Sequence, residues 1–290
     1  MQILYEKNII DSENMFKYFI TDLNEYPPHW HEEIEVVYAL ESCLEMGVNN
    51  TTYKLFPGDV FIVNPGDIHY FLPGDKPTNR IIMLIKLTIF EELTSEIVNK
   101  RIVNPLIKKD INDNIFYNKL QNKILLLQKE MHSKKWGYKF AVKAYIYEIV
   151  LLIMRYRKIE ELSLKEKTKQ LKKIDKLEKV YKYVTKHYNE VITLEDIADV
   201  ANFSTYYFSR FFKETTGMTF LQYLNNYRIT QATQLLIHSS YNITEVSNQC
   251  GFESIKTFNR VFKKIKGCSP SDYRKTIFER VNHHNNYKEV

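Results

Sequence analysis

The stretch Ser204–Gly217 (STYYFSRFFKETTG) recurs fifty positions later as Ser254–Gly267 (SIKTFNRVFKKIKG). Ser204 matches Ser254, Phe208 matches Phe258, Arg210 matches Arg260 and Phe212 matches Phe262. Lys213 and Lys263 also coincide, as do Gly217 and Gly267. Two Phe four residues apart share one face of a helix, and the Arg between them lies on the opposite, solvent-facing side. A leading Ser is an N-cap and a trailing Gly a helix stop. A chain that builds the same basic-faced helix twice is equipped to contact something long, repetitive and acidic, and duplex DNA is the leading candidate.

The distribution of charge agrees with that reading. The net charge of +6 over 290 residues is uneven. Residues 1–154 carry 17 Lys/Arg against 20 Asp/Glu, residues 155–182 carry 11 against 5, and residues 183–280 carry 12 against 9. A mildly acidic front and a basic back are expected if only the back meets phosphates. Cys43, Cys250 and Cys268 are scattered and form no C-x-x-C pair, which argues against a disulfide framework and for a reducing compartment. No secretory signal pattern opens the chain, and its apolar stretches at 81–90 and 146–154 are short and interrupted by Lys86 and Glu148. The expectation is a cytoplasmic protein that does not engage a membrane.

The pattern changes along the chain. Ile34–Leu40, Thr51–Leu55, Asp59–Val63 and Arg80–Leu87 are rich in Val, Ile, Tyr and Phe and separated by Gly, Pro and Asn, which predicts short strands in a β-sandwich or barrel. Ile115–His132 and Tyr138–Arg157 contain no Pro and flank Gly137, which predicts an αα-hairpin. Its apolar stripes are Leu120, Ile124, Leu127 and Met131, then Ala144, Tyr147, Leu151 and Met154. These stripes either cover the sheet or pair with a second subunit. Residues 155–173 are highly charged and read as a linker. From Ile174 to about Arg280 the pattern is helical, with Thr193, Ser204, Thr219, Thr244 and Ser254 placed as caps.

Each copy of the echo follows a short amphipathic helix and a tight turn. Leu194–Ala201 leads through Asn202-Phe203 to Ser204, and Ile243–Cys250 leads through Gly251-Phe252 to Ser254. Helix, short turn and capped basic helix form the helix-turn-helix signature. Phe220–His238 between the copies predicts a long spacer helix with Tyr223, Tyr227, Leu235 and Leu236 in the core.

The span Thr193–Arg274 resembles the DNA-binding domain of the AraC/XylS family of bacterial transcription regulators. The resemblance rests on Ala198, on S-x-x-x-F-S-R-x-F-K-x-x-x-G from Ser204, and on Tyr223-Leu224, Arg228, Ala232, Leu235-Leu236 and Ile243. It continues through Gly251-Phe252, Ser254, Phe258–Lys263, Gly267, Ser269-Pro270 and Tyr273-Arg274. Ser247 and Cys250 depart from the usual small apolar residues. The resemblance implies two recognition helices, Ser204–Glu214 and Ser254–Lys266, in successive major grooves. Thr205, Tyr206, Ser209 and Arg210 would read bases from the first, and Ile255, Lys256, Asn259 and Arg260 from the second. Arg suits guanine, Asn adenine, and Ile a thymine methyl. Lys213, Lys263 and Lys264 would contact phosphate.

The front half holds a second constellation: His29-Trp30-His31, Glu35, Gly58-Asp59, Pro65-Gly66 and His69. His29 and His31 point the same way from a strand. H-x-H-x(3)-E followed by G-D-x(5)-P-G-x-x-H resembles the two cupin motifs and the sensor domain found ahead of many AraC-type readers. The interval from Glu35 to Gly47 exceeds the usual cupin spacing. That resemblance implies ligand contact by His29, Trp30, His31, Glu35 and His69, with Glu33, Tyr38 and Tyr70 as further lining. Alternatively His29, His31, Glu35 and His69 hold a metal ion.

The expected fold is therefore α+β and multidomain. It comprises a cupin-like β-barrel (1–112), a helical hairpin suited to dimerisation (113–158), a charged linker (159–173) and an all-α tandem helix-turn-helix domain (174–280). The expected function is a sequence-specific transcription regulator, without a cofactor, responding to a small-molecule effector such as a sugar. Its expected partners are double-stranded promoter DNA, a second copy as homodimer and, for an activator, RNA polymerase. A metal-dependent cupin enzyme fused to a DNA reader is the alternative.

Overall fold

The computed structural model describes residues 15–22, 26–72, 74, 78–93, 100–109, 115–238 and 240–276. They fall into two compact units that divide between Ile174 and Asp175.

The front unit contains two antiparallel sheets. Strands β1 (Phe16–Thr21), β8 (Arg80–Ile85), β3 (Ile34–Ala39), β6 (Val60–Val63) and β10 (Leu106–Ile107) form one, in that order. Strands β2 (Tyr26–His29), β7 (His69–Phe71), β4 (Leu44–Val48) and β5 (Thr51–Leu55) form the other. Every residue of β3, β6 and β8 is buried. Strands covered on both faces read as unbroken apolar runs, and the alternation only decides which core each side chain enters. Val37, Ala39, Phe61, Val63, Ile82 and Leu84 face Leu44, Met46, Val48, Leu55 and Phe71 of the second sheet. Val36, Tyr38, Val60, Ile62, Ile81 and Met83 pack instead with α1 (Ile115–Ser133) and α2 (Tyr138–Tyr156). Pro27 and Pro28 lie in β2, an edge strand, where a missing N–H costs no ladder bond.

Several sequence expectations change here. The strand from Arg80 ends at Ile85 and gives way to a 3-10 helix, Leu87–Leu93. On α2 the buried stripe is Val142, Ile146, Ile149, Val150 and Ile153, while Ala144 and Leu151 are exposed. The stripe chosen from sequence is rotated by about one residue, because α2 is apolar almost all round and its pattern admits both. The charged stretch 155–173 contains β11 (Ile159–Glu161), paired with β9 (Lys100–Ile102), and the start of a continuous helix, α3 (Leu164–His187). Ser163 and Glu166 cap that helix reciprocally: Glu166 Oε2 accepts from Ser163 N–H at 2.9 Å, and Ser163 Oγ from Glu166 N–H at 3.3 Å. High charge on a capped helix is a solvated face, not a break. Among the described residues no helix is long and apolar enough to cross a membrane.

The second unit comprises the end of α3, then α4 (Leu194–Val200), α5 (Thr205–Thr216), α6 (Phe220–His238), α7 (Ile243–Gln249), α8 (Ile255–Lys266) and a last helical segment at 270–276. Thr193 and Asp196 form a capping box, Ser204 and Ser254 cap α5 and α8, and Gly217 and Gly267 end them in the left-handed conformation. The cap of α7 is Asn242, not Thr244: Asn242 accepts from the Glu245 N–H, and Thr244 falls inside the helix. Phe208, Phe212, Phe258 and Phe262 are wholly buried.

Helix α6 is more than a spacer. Tyr223, Leu224, Tyr227, Ile229, Ala232 and Leu236 are all buried, and they serve both halves of the unit. Tyr223 packs against Phe212 and Tyr181, while Ile229, Ala232 and Leu236 join Val246, Phe252, Phe258 and Phe262. Two arginines then close the halves in parallel fashion. Arg228 donates to the carbonyls of Tyr188 and Glu190, beyond the end of α3, both at 2.7 Å. Arg274 donates to the carbonyls of Leu236, in α6, at 3.1 Å and Tyr241, beyond it, at 2.6 Å. Gly251 has φ +75°, and a Cβ there would come within 2.6 Å of the Tyr188 oxygen, so this turn requires Gly.

Removing Arg228 strands two carbonyls and empties a buried site. Arg228→Ala is expected to lower the unfolding free energy by about 2–3 kcal/mol. A denaturant melt followed by circular dichroism should record that loss, with no comparable loss in Arg210→Ala, whose side chain is exposed.

Candidate nucleic-acid interface and front-domain cluster

The base-reading candidates lie on the outer faces of α5 and α8. Tyr206, Ser209, Arg210 and Lys213 are exposed on α5, with Thr205 half-buried at its start. Ile255, Lys256, Asn259, Arg260, Lys263 and Lys264 are exposed on α8. Phe203 and Phe252 sit at the two turns. Phe203 packs on Tyr207 and Phe211 beneath the Lys176 ammonium, 4.1 Å from its ring centroid, and Phe252 packs on Phe258. Tyr207, more than half exposed at the start of α5, was missed from sequence because a Tyr beside two core Phe reads as core.

The copies differ electrostatically. Arg210 Nε donates to Glu214 Oε1 at 2.7 Å, one turn along α5. The residue fifty positions on from Glu214 is Lys264. The departures Ser247 and Cys250 are both fully buried, and burial pushes the Cys250 thiol up to about 12 despite Arg228 nearby.

In the front unit, His29, His31, Glu35 and His69 converge, each at most 4% exposed. One ligand atom from each lies within 4.8 Å of all the others. The fold explains the convergence. His29 on β2 pairs directly with His69 on β7, and Glu35 points from β3 into the space between the sheets. Each imidazole Nδ1 lies against a main-chain carbonyl two residues away: His29 with Pro27 at 2.9 Å, His31 with Glu33 at 3.2 Å, and His69 with Asp67 at 2.9 Å. A carbonyl only accepts, so each Nδ1 carries a proton and each neutral ring has its lone pair on Nε2. The Nε2 atoms of His31 and His69 lie 3.1 and 3.2 Å from the same Glu35 oxygen.

Two neutral rings in that state would aim lone pairs at a carboxylate. The arrangement requires protonated rings or a shared cation. Burial alone would raise the Glu35 carboxyl, but the charge of His69 and hydrogen bonds from both rings hold it well below the usual carboxylate range. Burial lowers His69, yet Glu35 outweighs it and raises the ring above its ordinary value. Burial, reinforced by His69, holds His29 well below, hence neutral. Three imidazoles with backbone-fixed Nδ1 and one carboxylate are a fitting donor set for a divalent transition metal.

The other suggested lining residues divide. Tyr70 lies across Gly47, where a Cβ would come within 2.0 Å of its ring. Tyr38 points away from the cluster, one residue out of phase with Val37, and its hydroxyl accepts from Gln121 at 2.8 Å. Asp59 is occupied by the main-chain N–H groups of Phe56 and Lys109. Trp30 is buried at 3% exposure. The sequence did not disclose a small apolar cavity lined by Ile34, Pro65, Ile102, Val150, Ile153 and Ile159.

The turn 64–67 connects the cluster to its surroundings. Gly66 N–H donates to the His31 carbonyl at 2.8 Å, and Gln170 of α3 donates to the Pro65 carbonyl at 3.4 Å. Asp67 accepts from Asn49, Asn64 and Arg101.

Comparison with known proteins agrees with both halves. A helix-turn-helix domain family matches residues 197–276, and a cupin domain family matches residues 23–84. The uncharacterized HTH-type transcriptional regulator YdeC of Bacillus subtilis is 26% identical over 261 residues, 88% of each chain. The HTH-type transcriptional activator RhaR of Mannheimia succiniciproducens is 25% identical over 259 residues, 88% of this chain and 89% of that one. A crystal structure of the DNA-binding domain of AdpA in complex with a target DNA is 35% identical; it covers 36% of this chain and 94% of that one, with TM-score 0.35. With a cupin-like front, two helix-turn-helices behind it and HTH-type regulators as relatives along most of its length, the chain belongs to the AraC/XylS family of transcription regulators.

Proposed function

We propose that this cytoplasmic regulator reads a directional, non-palindromic promoter site with α5 and α8, under control of a divalent transition metal held by His29, His31, Glu35 and His69. The observation that carries the sensing half is the meeting of two Nδ1-protonated imidazoles on one buried Glu35 oxygen. A cation satisfies those lone pairs, whereas the closeness of the four donor atoms leaves little room for a sugar among them. An organic effector is the second reading, supported by the apolar cavity beside Pro65. The reading is regulatory and not enzymic, as the names of the relatives suggest. A change at the cluster reaches α3 through the 64–67 turn, from His31 to Gly66 and from Pro65 to Gln170. Homodimerisation would use the face of α2 that the sheet leaves uncovered, with Phe140, Ala144 and Leu151 exposed.

In the reading half, Arg210 and Arg260 face solvent at equivalent places on equivalent helices, as bidentate partners of guanine. Tyr206 and Ser209 stand where α8 has Lys256 and Asn259, so the two half-elements differ and their order is fixed.

Metal-free full-length chain, titrated with Zn2+, Mn2+ and Fe2+ in a calorimeter, should take up one ion per chain and melt at higher temperature. His31→Ala and His69→Ala should abolish both effects. A well-folded wild-type chain that binds none of these ions would end the metal reading. For the reading half, duplexes selected from a random pool should be bound about ten- to a hundredfold more weakly by Arg210→Ala and by Arg260→Ala. Unchanged footprints in both variants would remove these arginines from base reading.

A further inference from the structure

The two reading helices share a shape but not a charge. With about 100° per residue, positions 256, 260, 263, 264 and 266 span one continuous arc of α8, opposite the core residues Phe258 and Phe262. All five are basic (Lys256, Arg260, Lys263, Lys264 and Lys266) and all are exposed. The matching positions of α5 are Tyr206, Arg210, Lys213, Glu214 and Thr216. Thr216 is buried and its hydroxyl donates to the Phe212 carbonyl, so that end of the arc is closed to DNA on α5. Tyr206 is 78% exposed and uncharged where α8 has Lys256. Glu214 replaces Lys264 and holds the Arg210 guanidinium at 2.7 Å.

We propose that the two helices divide the work: α8 supplies most of the phosphate attraction, and α5, its Arg210 positioned by Glu214, supplies most of the sequence discrimination. This rests on the assignment of α5 and α8 as the DNA-reading helices. Attraction to phosphate is blind to sequence and scales with the number of phosphates neutralised, so a five-cation arc contributes affinity on any duplex. An arginine tied to a carboxylate one turn away presents its fork in one orientation and loses part of its general attraction to phosphate. It gains most on a site that offers a matched guanine edge. The Arg210–Glu214 pair is exposed and adds little to stability, so orientation is the effect to look for. Glu214 is a positioning residue.

The test uses the full chain and two probes: a mixed-sequence duplex of about 40 base pairs, and a site obtained by selection from a random pool. Affinity is measured by fluorescence anisotropy across a salt series. The double variant Lys263→Ala/Lys264→Ala should weaken both probes alike and flatten the salt slope by about 1.8, from about 0.9 per phosphate contact. Glu214→Lys should steepen the slope by about 0.9 and tighten the mixed duplex, so the ratio of selected to mixed affinity falls several-fold. Glu214→Gln, which frees Arg210 without adding a cation, should lower that ratio with little change of slope. All three substituted positions are exposed, and unchanged circular dichroism will confirm that the helices persist. An unaltered slope in the lysine variant, or a wild-type ratio in both Glu214 variants, overturns the division of labour while the wild type still binds DNA. A wild-type chain that binds neither probe takes the DNA-reading assignment down with it.

Discussion

The DNA-binding unit depends on a few main-chain carbonyls at and beyond the C-terminal ends of α3 and α6. Such groups lack partners within the helix and must find donors elsewhere. Arg228 and Arg274 supply those donors in the same way, each reaching back from a following helix to the end of the preceding long one. The repeat that begins as two Phe and an Arg therefore extends to a Tyr-Arg pair, Tyr227-Arg228 and Tyr273-Arg274, that fastens each half. Because α6 closes the first half and opens the second, its burial on several sides is obligatory.

The front unit solves a different problem. Its central sheet is covered on both sides, so the backbone of β3 is fixed and Glu35 must point between the sheets. A buried carboxylate is costly unless charge and hydrogen bonds meet it. His31 and His69 bring Nε2 to it while backbone carbonyls hold their Nδ1 atoms, so ring protons or a shared cation must supply the charge. The same turn that carries Pro65 and Gly66 touches His31 on one side and α3 on the other. The buried cluster and the first turns of α3 thus share the four-residue turn 64–67.

Much of this was legible from sequence, for identifiable reasons. The helix-turn-helices announced themselves because Phe208 and Phe212, like Phe258 and Phe262, leave only one helical face for the core. The cupin-like cluster was legible because H-x-H-x(3)-E and the later P-G-x-x-H match known motifs, although of the two His only His29 lies in a strand and His31 follows it. The losses follow from degeneracy. On α2 nearly every position is apolar, so the periodicity could not separate the Val142–Ile146–Ile153 face from the Ala144–Leu151 face. Tyr38 was misassigned because a strand buried on both sides gives no polar alternation to set its phase. Residues 155–173 looked like a linker because β11 is held by backbone bonds to β9, which side-chain composition does not report. The roles of Arg228 and Arg274 were hidden because an arginine that serves carbonyls looks, in sequence, like any surface arginine.

The sharing of α6 also bears on DNA geometry. On the proposed reading, α5 and α8 are mounted on one helix that packs with both halves, which ties their separation and rotational phase together. One base pair added between the half-elements turns one of them by about 35° around the duplex. If α5 and α8 read bases as proposed, the spacing between half-elements becomes as much a part of the recognised message as the bases themselves.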